Sequence, residues 1–154
     1  MNNPKGVSGA LNAYNQVAVQ TGVNDASPHR LIQMLIDAAL EKVAAAKGLM
    51  LNGRIAEKGQ QIGLAVSIID GLRLSVDKER GGEIAQNLEN LYLYINERLT
   101  EANLTNNANL LDEVTSLLRP IKEAWDAIPE DVKLKHQQQQ ELQDKKARDQ
   151  AAAG

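Results

Sequence analysis

The chain has 154 residues, 43% hydrophobic, with a formal net charge of −3, a length that suits one domain. There is no cysteine, which excludes disulfides, thiolate metal sites and cysteine nucleophiles. No Lys/Arg block marks a nucleic-acid surface, and no apolar run approaches the roughly 20 residues of a membrane span.

Residues 1–12 are small and polar, with Pro4, Gly6 and Gly9, and read as disordered. The first fifteen residues also lack the apolar core of a signal peptide, so a cytoplasmic protein is expected. Residues 13–23 hold Tyr14, Val17 and Val19 in a weak pattern that suits a short helix or an extended arm. Ser27-Pro28 then starts a helix, because Ser caps free N–H groups and Pro at the first position has none to lose. This helix should run to about Leu51, where Asn52-Gly53 breaks it. A second helix is expected from about Arg54 to Lys78, ended by Gly81-Gly82, with Lys78 and Arg80 near its negative end. Glu83 would open a third helix, which ends near Leu104 before a Thr105-Asn106-Asn107 turn. The fourth would run from Ala108 to Ile128, stopped by Pro129, with a kink expected at Pro120. Four such helices joined by short turns predict an all-α protein, an antiparallel up-down four-helix bundle over residues 13–129. The polar stretch 130–154, with its glutamine run, has no usable apolar face. It reads as a disordered or fraying tail, since a lone polar helix is marginal in water.

Aromatic content is 3% and there is no Phe, so the core must be aliphatic. On the fourth helix Leu110, Val114, Leu117, Leu118, Ile121, Trp125 and Ile128 form one orderly stripe. Three helices carry more. The first has a stripe of Leu31, Met34, Leu35, Ala38, Ala45 and Leu49, widened sideways by Ile32, Ile36, Leu40 and Val43. The second has Ile55, Ile62, Val66, Ile69 and Val76, with Leu64 and Ile68 nearly opposite and Leu72 between. Gly59, Gly63 and Gly71 lie inside it, although each costs roughly 1 kcal/mol against Ala; such glycines let another helix approach. On the third, Ile84, Leu88, Leu91, Ile95 and Leu99 share a face, while Leu93 points about 180° away from Ile84. Crossing angles or the N-terminal arm could cover some of these residues. A patch shared between helices more often marks a binding site. Burying each such side chain is worth roughly 1.5–3 kcal/mol. Five or six would exceed the roughly 2–5 kcal/mol cost of ordering a disordered peptide.

The sequence offers no catalytic constellation. His29 sits in a helix's first turn and His136 in the tail, and neither has a Glu three residues before it, as a di-metal bundle would need. Asp37 and Asp70 read as solvated or hydrogen-bonded carboxylates. Gly81-Gly82 follows a helix, so it is no phosphate loop. No cofactor and no metal are expected, and the chain does not read as an enzyme.

Three stretches carry a resemblance: AYNQVAVQTGVNDASPHRLIQMLIDAAL, SVDKERGGEIAQNLENLYLYINERLTEANL and EVTSLLRPIKEAW. In this order and spacing they resemble the FliS family, the flagellin export chaperones of flagellar type III secretion. The resemblance spans most of residues 13–128. TGVNDASP is longer than the family's TASP, and MLIDAAL stands where the family has MLYDGAL, so Ile36 replaces a tyrosine and Ala38 a glycine. The resemblance implies a chaperone without catalysis. It would bind the disordered C-terminal segment of flagellin, prevent premature polymerisation and help delivery to the export gate protein. It also implies an N-terminal covering segment, here Tyr14, Val17 and Val19, that leaves its groove when flagellin arrives. Joined to the face analysis, it makes Ile32, Ile36, Leu40, Leu64, Ile68, Leu72, Leu93 and Tyr94 the expected partner-binding residues. A bundle that self-associates through the same faces, as a homodimer when free, is the competing reading.

Overall fold

A computed structural model of the protein describes residues 27–128 and 130–153. The 1–12 segment and the covering residues Tyr14, Val17 and Val19 lie outside the described residues. Five helices are described: α1 Pro28–Leu51, α2 Ile55–Leu74, α3 Lys78–Thr105, α4 Ala108–Asp126 and α5 Glu130–Ala153.

Local chemistry sets most of the boundaries. The Ser27 hydroxyl accepts from the Arg30 N–H at 3.2 Å and Pro28 takes the first helical position. Gly53, at φ 72, turns the chain between α1 and α2. Asn106 ends α3 in the left-handed region at φ 52, and Asn107 caps α4 by accepting from the Asn109 N–H at 3.0 Å. The fourth helix continues through Pro120 and stops at Asp126, two residues before the expected Ile128.

The α2–α3 corner departs from expectation. The second helix stops at Leu74, so Lys78 and Arg80 belong to the first turn of α3. Asp77 is the reason: its carboxylate accepts from the Arg80 N–H at 3.2 Å and starts a new helix there. Gly82 then bends that helix, at φ 55 and ψ −129, where an expected helix end had been placed. Ile84, just past the bend, is 79% exposed and is not on the buried face.

The packed pairs are α1·α2, α2·α3, α3·α4 and α1·α4, the cyclic order of an up-down four-helix bundle. Polar cross-links fix the antiparallel register. Between α1 and α4, Gln33 Nε2 donates to Asp126 at 2.8 Å, Asp37 meets Lys122 at 2.7 Å and Lys47 meets Asp112 at 2.8 Å. Each step forward on α1 is matched by an equal step back on α4. Between α2 and α3, Lys58 reaches Asn103 and Asn106, and Asn96 reaches Asp70. The aliphatic core forms from Ala39, Val43 and Ala46 of α1 with Ile62, Ala65 and Ile69 of α2. Tyr92, Ile95 and Leu99 of α3 and Leu111, Val114 and Leu118 of α4 close it. Burial pushes the Tyr92 hydroxyl pKa up to about 12.

Residues 130–153 form α5, where the sequence suggested a disordered or fraying tail. They contain no Gly or Pro and are rich in Ala, Gln, Glu, Lys and Arg, all strong helix formers. Residues 141–152 are exposed, and Gln143 meets Arg80 at the start of α3. Over residues 141–152 propensity rather than burial favours the helix.

Candidate partner-binding surface

The eight residues expected to bind a partner divide into three groups. Ile36, Ile68 and Leu72 are 0%, 2% and 1% exposed and belong to the core, so they are not surface residues. Each helix of a four-helix bundle is flanked by two others, and its apolar arc is therefore wider than one stripe. Ile68 and Leu72 fill the α1-facing part of that arc on α2. Ile32, Leu40 and Leu64 are half-buried, the first two packed against the core. Leu93 and Tyr94 alone of the eight are exposed, at 43% and 40%.

These two diverge. The Tyr94 hydroxyl donates to Glu113 Oε1 of α4 at 2.5 Å, and the Arg98 guanidinium lies 5.2 Å over its ring. The bond to Glu113 holds the Tyr94 hydroxyl above its ordinary pKa. Leu93 lies toward α2 instead. Its neighbour Asn96 donates from Nδ2 to Asp70 at 3.0 Å. Glu89, one turn earlier, faces Lys78 at 2.7 Å and Arg73 at 3.7 Å. Expected site residues are thus spread over several flanks and do not form one patch.

The exposed apolar surface includes residues the sequence reading passed over. Leu104 is 78% exposed. It lies three turns after Leu93, rotated from it by only about 20°, so the two share an outward stripe on α3. Its signal was present in the helical period but hidden by its place at the helix end. Leu51 and Ile55, 68% and 50% exposed, flank the α1–α2 turn at the same end of the bundle as Leu104. Ile55 had been placed in the second helix's core stripe; there it lies in the first turn, beyond the packed region. At the opposite end Leu74 and Ile84 are exposed.

His29, Asp37 and Asp70 make structural contacts. His29 packs 4.8 Å from the Trp125 ring. Asp37 pairs with Lys122, raising the lysine's pKa, and Asp70 is held by Asn96 and Arg73. Among the described residues no group of acidic, His or Cys side chains is placed to hold a metal. Among them too, no helix is long and apolar enough to cross a membrane.

Residues 10–132 match the family model described as flagellar protein FliS. The chain belongs to the FliS family. It is 51% identical over 119 residues to the flagellar secretion chaperone FliSB of Pseudomonas aeruginosa, covering 77% of this chain and 94% of that one. It is 42% identical over 121 residues to the flagellar secretion chaperone FliS of Vibrio cholerae, covering 79% and 89%. To the Salmonella typhimurium protein of the same name it is 45% identical over 119 residues, covering 77% and 88%. FliS is a family of chaperones, not of enzymes. The bundle α1–α4 lies inside the FliS match, while most of α5 lies beyond it.

Proposed function

We propose that this FliS-family protein is a cytoplasmic export chaperone for flagellin. It binds the disordered C-terminal segment, keeps flagellin from polymerising, and hands it to the gate protein of the flagellar export apparatus. The observation that carries the reading is apolar exposure on the outer face of α3, where Leu93 and Leu104 are exposed on either side of Glu97. A client segment that becomes helical on the bundle would bury them, and burial of apolar side chains offsets its ordering cost. The relatives named flagellar secretion chaperones support the same assignment. Half-buried Ile32, Leu40 and Leu64 lie at the margins of the grooves flanking α1. In this reading the segment holding Tyr14, Val17 and Val19 occupies such a groove until the client displaces it.

A polymerisation assay tests the proposal. Monomeric flagellin from the same organism is seeded, and filament growth is followed by light scattering. An equimolar amount of the protein should suppress growth. Unchanged growth, with the protein folded by circular dichroism, would overturn the proposal.

A further inference from the structure

Residues 78–81 are the first turn of α3, yet they do not continue its axis. Lys78 Nζ lies 2.7 Å from Glu89 Oε2. In a straight helix eleven residues rise about 16 Å, too far for these two side chains to meet. The bend at Gly82 closes that gap, and the bend uses both glycines. Gly82 stands at φ 55 and ψ −129, a backbone that residues with a Cβ rarely adopt. A Cβ at Gly81 would come within 2.5 Å of the Ala85 Cβ, whereas an unbent helix keeps such atoms four residues apart at about 5–6 Å. The turn is therefore folded down onto the body of α3, against Ala85 and Glu89, which are 5% and 8% exposed.

Three side-chain contacts hold it there. The Asp77 carboxylate accepts from the Arg80 N–H at 3.2 Å, Lys78 pairs with Glu89, and the Arg80 guanidinium donates to Gln143 Oε1 of α5. The third contact differs from the others. It joins the turn to a helix that lies mostly beyond the FliS match and whose residues 141–152 are exposed. The rest of α3 does not depend on the turn. Arg73 of α2 also faces Glu89, at 3.7 Å, so the carboxylate keeps a cation when Lys78 leaves. Glu83 follows the bend, and an acid suits the positive end of a helix that starts there.

We propose that residues 78–81 form a latch with two positions, and that α5 biases it closed through Gln143 and Arg80. In the open position the turn swings about Gly81-Gly82, Lys78 leaves Glu89 and α3 begins at Glu83. Displacing α5 removes the Arg80 contact and shifts the population toward the open position, which uncovers Ala85 and Glu89 at the α2–α3 corner. The state of the tail is thereby passed to the bundle. This goes beyond the proposed chaperone function and holds whatever the client, so its failure would leave that function standing.

Hydrogen exchange of the full chain, read by mass spectrometry, tests it, because local opening sets the exchange rate of the amides it frees. Lys78→Ala should speed exchange over residues 78–86 about threefold or more, and Gln143→Ala about twofold or more. Gln143→Glu gives Arg80 a carboxylate and should slow the same amides about twofold. Residues 62–72 of α2, which carry core side chains, should exchange at the wild-type rate in all three variants. Acceleration by Lys78→Ala with no response to either Gln143 variant would overturn the role of α5. Equal acceleration over residues 62–72 would show a loss of global stability in place of latch opening and would overturn the proposal. Unchanged exchange in all three variants would overturn it too.

Discussion

Lys58 is 2% exposed yet faces no carboxylate. Its ammonium donates to the Asn103 carbonyl at 2.9 Å and to the Asn106 side-chain oxygen at 2.6 Å. Both acceptors lie at the C-terminal end of α3, where the helix's negative end favours a cation. Lys58 therefore ties the start of α2 to the end of α3. Lys58→Met keeps the unbranched stem and removes the charge. A hydrogen bond to a charged group is worth roughly 1.5–3 kcal/mol. Two are lost here, but Asn106 is exposed and can turn to water, which returns part of the second. The expected loss is about 2 kcal/mol, or a Tm decrease of about 4–8 °C for a chain of this size. Urea denaturation followed by circular dichroism measures it. Asn106→Gly keeps the left-handed backbone while deleting the acceptor, so a double-mutant cycle with Lys58→Met should give a coupling of about 1 kcal/mol. A Met variant as stable as the wild type would refute the reasoning. It would show that burying the ammonium costs as much as its bonds return.

Leu93→Asp should weaken client binding about tenfold or more with helicity unchanged, whereas Ile68→Asp should lose the folded state, because it places a carboxylate among core residues; circular dichroism with a binding titration separates the two. Gly82→Ala should lower stability by about 1–3 kcal/mol in urea denaturation, since φ 55 with ψ −129 is strained for any residue with a Cβ. Stability should also fall between about pH 10 and pH 12. The folded Tyr92 pKa of about 12 exceeds its unfolded value, so folding holds a proton that the unfolded chain releases, and the burial is fully favourable only below the unfolded pKa. A flat denaturation midpoint across that window would contradict it.

Much of the fold was legible because its signals are local. Ser27-Pro28, Asn52-Gly53 and Asn106-Asn107 act through caps and left-handed turns that need no tertiary information. The α2–α3 corner misled because glycine has two uses. Gly81-Gly82 resembles a helix stop, but Asp77 supplies the stronger start and Gly82 only bends the helix that Asp77 has begun. The tail gives no such signal: periodicity reports burial, and residues 141–152 are exposed, so only propensity speaks for helix there. The candidate surface was legible only in part. Period alone shows that Leu64, Ile68 and Leu93 depart from a single stripe. It does not show which neighbour each faces, and that rotation is fixed by cross-links such as Asn96–Asp70 and Tyr94–Glu113. Hence Leu93 stayed on the surface and Ile68 did not.

The most direct test of the account is calorimetric titration of the protein with the C-terminal segment of the same organism's flagellin, with circular dichroism of the mixture. The account predicts one-to-one binding, a negative heat-capacity change and more helix than the two components show apart. Absence of heat and of added helix, from a protein that is itself folded, would contradict it.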